Sequence, residues 1–211
     1  MSTLPKRIMK LGAESPEGAL LCPSALLHMG SRAAIDQALS RLARKGEILR
    51  VCQGVYVRPI QTRFGPRPPS VEKVIASLSA LWSETIVPCG GAAANALGLT
   101  TQVPVRSVYL TSGPARRLFL GKLTVELRHA PRWQLAAPHR PAGAVVRALS
   151  WLGPDEVEAG LGVIGRKLAA EDFRELAASC AVMPAWMAEP VSEMVANGRR
   201  LRKDAQRWDA A

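Results

Sequence analysis

Between positions 59 and 70 the chain reads PIQTRFGPRPPS, four prolines and a glycine in one short stretch. Each proline fixes its own φ, lacks an N–H and biases the preceding residue away from helix. The stretch is therefore expected to hold no regular structure and to act as a linker. The sequence thus predicts two independently folding parts, residues 1–58 and residues 71–211, joined by residues 59–70. With 211 residues, 48% of them hydrophobic, there is enough apolar material to bury a core and wholesale disorder is not expected. No run approaches the roughly 20 apolar residues of a membrane span. The opening MSTLPKRIMKLGAESPEG has cations but no long apolar run, so neither a signal peptide nor a membrane anchor is expected, and a cytoplasmic protein is.

In the first part, GSRAAIDQALSRLARKGEI at 30–48 has the marks of an amphipathic helix. Ser31 is placed to cap its N-terminus and Gly30 to permit a sharp turn before it. At 100° per residue Ile35, Ala38, Leu39 and Leu42 share one face. Ala33, Gln37, Ser40, Arg41 and Arg44 fall on the other, with Arg32 near the first turn. LPKRIMKLG and PSALLHMG supply two earlier short helices. EILRVCQGVYVRP supplies two short strands joined near Gln53-Gly54. That order predicts a winged helix–turn–helix that reads DNA with the helix at 31–44.

On this reading Ser31, Arg32, Ala33, Gln37 and Ser40 face the major groove, Arg32 suiting guanine and Gln37 adenine. Arg41, Arg44 and Lys45 lie further along and suit phosphates, and Arg50 and Arg58 flank the wing. Lys6 and Arg7 either do the same or form a solvated face. The simpler alternative is a packing helix with a solvated basic side.

Charge favours the polyanion. The net charge is +11, and residues 1–60 carry nine Lys/Arg against four Asp/Glu. Residues 61–140 carry ten against three, and residues 141–211 nine against ten. The excess is thus confined to the first two-thirds.

The second part is predicted to be mixed α+β. A helix in SVEKVIASLSALWSE, capped by Ser70, precedes a strand in TIVPCG and a small-residue helix in GAAANALGL. VRSVYLTS and GKLTVELRHA read as strands joined by a turn region, GPARRLFLG. Helices follow in AGAVVRALSWLG, AAEDFRELAAS and PAWMAEPVSEMVANG, the last expected to end at Gly198. Arg116, Arg117 and Lys122 around the turn region are predicted to make a compact cationic surface on this second part.

Little points to catalysis. Cys22, Cys52, Cys89 and Cys180 are widely separated, which argues for plain buried or half-buried thiols rather than a metal ribbon or redox pair. His28 lies in an apolar stretch and His129 and His139 are separated by prolines. Residues 61–140 contain only Glu72, Glu84 and Glu126 as acids, too few for a clustered metal site. PCGGAAANALG lacks the lysine of a phosphate loop. No catalytic residue, metal or other cofactor is expected.

GSRAAIDQALSRLARKGEILRVCQGVYVRP resembles the N-terminal winged helix of AbiEi-type antitoxins, regulators of type IV toxin–antitoxin and abortive-infection systems. PCGGAAANALGLTTQVP, VYLTSGPARRLFLG and VELRHAP are similar to the antitoxin domain of the same family. The resemblance covers about half the chain. It implies an N-terminal domain that binds inverted repeats in its own promoter and represses the operon. It also implies a C-terminal domain that counteracts a co-encoded nucleotidyltransferase-like toxin, with or without direct contact. Two other readings fit the same residues: a nucleic-acid-processing enzyme that docks through its winged helix, and a transcription factor whose second domain senses a ligand.

Overall fold

The computed structural model describes residues 3–102 and 106–208 of the chain. The chain begins with helix α1 (Leu4–Glu14), a short strand β1 (Leu20–Leu21), a 3-10 segment (Pro23–Met29) and helix α2 (Arg32–Arg44). Strands β2 (Leu49–Cys52), β3 (Val55–Val57), β4 (Ile60–Thr62) and β5 (Gly65–Arg67) lead to helix α3 (Val71–Trp82). Next come β6 (Ile86–Pro88), α4 (Gly90–Ala96), β7 (Ser107–Thr111), β8 (Arg116–Leu120) and β9 (Leu123–His129). Helices α5 (Pro141–Leu152), α6 (Val157–Ile164), α7 (Ala170–Ser179) and α8 (Ala185–Trp208) complete a mixed α+β fold.

Two compact units divide these elements. The first is Met1–Glu84 with Ala115–Leu127, and the second is Thr85–Pro114 with Arg128–Ala211. The division expected at the proline-rich stretch does not occur there. Residues 60–67 instead pair as the antiparallel β4–β5 hairpin, with Ile60 opposite Arg67 and Thr62 opposite Gly65. The prolines are accommodated because an isolated two-stranded ribbon is all edge, so a missing N–H can face solvent.

The first unit is built on the apolar stripe of α2. Ile35, Ala38, Leu39 and Leu42 pack with Ile8, Leu21, Leu26, Ile48 and Tyr56. Beside them a three-stranded sheet runs in the order β1-β3-β2. β3 is central, so Val55, Tyr56 and Val57 are all buried, which hides the simple alternation expected of a two-stranded wing. β8 lies against β2 within this unit. Gly18 has φ +85°, and a Cβ there would sit 2.8–2.9 Å from Lys73, so glycine lets the turn after α1 meet the start of α3.

The second unit centres on α5. Val145, Val146 and Leu149 are fully buried with Leu161, Ile164, Leu176, Met187 and Val191 from the surrounding helices. β6 and β7 pair antiparallel, Ile86 opposite Thr111. The run GPARRLFLG, expected to be a turn region, contains the strand β8, which belongs to the first unit and pairs with β9. α6 was not expected. The last helix continues past Gly198 to Trp208, with Pro190 inside it.

Candidate nucleic-acid interface

Helix α2 presents its polar face as its periodicity dictates. The Ala34 N–H donates to Ser31 Oγ at 3.4 Å, so Ser31 caps the helix. Arg32, Ala33, Gln37, Arg41 and Arg44 are exposed and Ser40 is half-buried, while Lys45 follows the last turn in the open. Arg41 and Arg44 fall in the last turn, where cations suit the negative end of the helix.

Side chains on this face are tied to one another. Arg32 Nε donates to Asp36 Oδ2 at 3.0 Å, and Arg44 Nη2 donates to Ser40 Oγ at 3.2 Å. The i,i+4 spacing of Arg32 and Asp36 is the signal in the sequence for this pair. The pair is exposed, 61% and 50% for the two side chains, so it is weak and opens at little cost.

Arg50 is exposed on β2 opposite Tyr56, and a bulge follows it before Cys52. Arg58 is half-buried because its aliphatic stem packs 3.6 Å from the Cβ position of Gly12 in α1. It therefore braces the sheet against α1 as well as carrying charge. Arg7, on α1, donates from Nη1 to the Met29 carbonyl at 3.2 Å, which joins α1 to the end of the 3-10 segment.

The cationic cluster expected around residue 116 is not assembled. Arg116, Arg117 and Lys122 lie in the first unit, not in the second. Arg116 is held by Glu84 and has its guanidinium 4.0 Å from the Trp82 ring centre. Arg117 stands opposite Glu126 across the β8–β9 ladder, and Lys122 follows Gly121 at the far end of the hairpin. Strand alternation sends neighbouring Arg116 and Arg117 to opposite faces, which a turn would not have done.

A polar clamp that the sequence did not reveal fixes the β4–β5 hairpin. Glu17, just after α1, accepts from Lys73 Nζ at 2.6 Å, from the Ser70 N–H at 3.0 Å and from Arg67 Nη1 at 3.2 Å. The Lys73 hydrogen bond, then the Ser70 N–H, hold its carboxyl at about 2. Beyond this clamp the hairpin ends in Arg63 and Phe64, with Phe64 86% exposed.

In the second unit, the segment that carries much of the family resemblance is a packing device. Ala93 and Ala94 of α4 are buried with Ala148 of α5. A Cβ on Gly90 would lie 2.5 Å from the Arg147 carbonyl oxygen, so only glycine admits this approach. Asn95 then donates to the carbonyls of Thr100 and Gln102, folding LGLTTQ back on the helix.

Arg147, the only charged residue of α5, is 4% exposed, and its Nε and Nη1 have no hydrogen-bond partner. Burial pushes its pKa down to about 10. A lone arginine in the apolar run AGAVVRALSWL was the signal available in the sequence. His129 Nδ1 lies 2.9 Å from the Gly113 carbonyl oxygen, and His28 is exposed. Cys22 is buried and Cys52, Cys89 and Cys180 are half-buried, all as free thiols. Among the described residues no group of three His, Cys, Asp or Glu side chains could hold a metal ion, and no helix is long and apolar enough to cross a membrane.

The fold and its basic helix define a two-unit α+β protein with a polar, cation-rich helix face on its first unit. Residues 7–169 match the model of DUF6088, a family of unknown function, and the chain belongs to that family. Among solved structures it is similar to the RV2827C protein from Mycobacterium tuberculosis, at 15% identity and a TM-score of 0.52. That match covers 94% of this chain and 78% of the other, a likeness of fold. No curated protein matches the chain.

Proposed function

We propose that this protein is a DNA-binding antitoxin whose first unit is a winged helix–turn–helix that represses its own operon. The observation that carries the DNA-binding part is α2. It is capped by Ser31, seated on a four-residue apolar stripe, and exposes Arg32, Gln37, Arg41 and Arg44. α1, the 3-10 segment and α2 precede the β2–β3 hairpin in the order such a unit requires. The first unit also holds most of the positive charge that a phosphate backbone would meet. Counteracting a nucleotidyltransferase-like toxin is what the resemblance to AbiEi-type antitoxins adds, and the resemblance assigns it to residues 71–211.

The direct test is a mobility shift on the fragment upstream of the chain's own gene. Replacing Arg32 or Gln37 with alanine should cost about 1–3 kcal/mol on that fragment and relax preference at one base position. Arg44→Ala should instead weaken binding to every duplex and flatten the salt dependence. Asp36→Ala frees Arg32 and removes a negative charge, and should tighten binding. Normal shifts from the Arg32, Gln37 and Arg44 triple alanine variant would remove α2 as the reading helix. The antitoxin part is tested by growth rescue when the full chain is co-expressed with the neighbouring gene product.

A further inference from the structure

The β4–β5 hairpin ends in an aromatic side chain that the fold leaves uncovered. Phe64 is 86% exposed, and the Arg63 guanidinium lies 4.6 Å from its ring centre. A single exposed ring is ordinary on a folded surface; what sets Phe64 apart is its place at the tip of a hairpin, paired with a cation. The tip is also ordered from within. Thr62 Oγ1 donates to the Gly65 carbonyl at 2.7 Å and accepts from the Phe64 N–H at 3.2 Å. Glu17 clamps the base through Arg67, Ser70 and Lys73. The ring is thus presented on a braced arm, and little ordering would remain to be done on binding.

Charge chooses the partner. From Ile48 to Val71 the chain has Arg50, Arg58, Arg63 and Arg67 and not one Asp or Glu. A mainly apolar depression of about 450 Å3 within the first unit is lined by Gly46, Leu49, Pro66, Leu120 and Leu123, with Arg67 and Lys122 as its cations. It brings together the residues just after α2, the start of β2, the return strand of the hairpin and the β8–β9 turn. A second copy of the arm would set Arg63 and Arg50 against like charge, whereas a duplex supplies both phosphates for the arginines and stacked bases for the ring.

We propose that the hairpin is a second DNA-contacting element, a wedge that inserts Phe64 at a base step from the minor groove while Arg63 lies along that groove. Apolar wedges of this kind unstack a step and bend the duplex, and arginine suits a narrow A·T-rich groove. The inference rests on the DNA-binding reading above and adds a site that the helix alone does not provide.

The test uses the full chain and a short A·T-rich duplex carrying 2-aminopurine at a central TA step and a fluorophore pair at its ends. Wild-type protein should brighten the 2-aminopurine and bring the ends together. Phe64→Ala should bind about tenfold or more weakly, without brightening or bending, and Phe64→Trp should restore both. Melting temperature should be unchanged in both variants, since the ring packs on little of the fold.

A Phe64→Ala protein that binds and bends like wild type overturns the wedge, as does wild-type binding without unstacking. If the chain binds and the α2 triple variant does not, yet Phe64→Ala is neutral, the wedge fails and the reading helix stands. If wild type binds no duplex at all, the DNA-binding reading fails and the wedge with it. A Phe64→Ala chain that keeps its DNA binding but no longer protects cells from the toxin places the residue at a protein interface and also overturns the proposal.

Discussion

Two single residues carry opposite electrostatic costs. Arg147 is charged, buried and without hydrogen-bond partners at Nε and Nη1. Unsatisfied buried donors of this kind cost about 1–3 kcal/mol, so Arg147→Met should raise stability by a similar amount at neutral pH. Thermal melts of the two proteins check this. Its folded pKa, about 10, lies below the ordinary value for arginine. The unfolded chain therefore binds the proton more tightly, and stability should climb as pH rises between those values. Glu17 has the reverse sign. Its carboxyl is held at about 2 against an ordinary 4.5. The stability it confers is complete above pH 4.5 and is lost as pH falls towards 2. A Glu17→Gln protein should melt lower than wild type at pH 6, and the gap should close across that acidic window.

At the scale of elements, the contact between α4 and α5 is set by the absence of side chains. A methyl group on Gly90 would stand 2.5 Å from the Arg147 carbonyl and 2.6 Å from Trp151 Cβ, one of them rigid backbone. Gly90→Ala should cost about 1–3 kcal/mol by overpacking. Gly162 in α6 has nothing within 4 Å of its Cβ position. There the entropy of a helical glycine dominates, and Gly162→Ala should stabilise by about 0.5–1 kcal/mol. Urea midpoints of the two variants should therefore move in opposite directions, and midpoints moving together would refute the close approach.

For the whole molecule, the consequence is a different minimal fragment. The first unit takes in α3 and the Ala115–Leu127 hairpin as well as the N-terminal elements. Residues 1–60 alone lack Ser70 and Lys73, which satisfy Glu17, and lack β8, which lies against β2. Residues 1–84 joined by a glycine-serine linker to 115–127 should melt cooperatively, whereas residues 1–60 should not. Circular dichroism against temperature on the two fragments decides between this division and one at the prolines.

What the sequence determined by itself is whatever depends on near neighbours. The cap at Ser31, the stripe Ile35–Ala38–Leu39–Leu42 and the polar face opposite are all set within one helix, by a period that can be counted along the chain. The turn at Gln53-Gly54 and most of the second unit's helices were legible for the same reason. Tertiary structure decided the rest. Arg116 is 32 residues from Glu84, and only the fold turns an apparent surface cation into a bracing one. Glu17 is more than fifty residues from Ser70 and Lys73, so no local pattern could announce its clamp. The proline-rich stretch pairs as a hairpin because proline forbids a central strand but tolerates a free edge, and edges exist only once sheets have been assembled. The same holds for the division into units. Contiguity along the chain suggested a boundary near residue 59, while burial returned residues 115–127 to the first unit, because hydrophobic contact is indifferent to sequence distance.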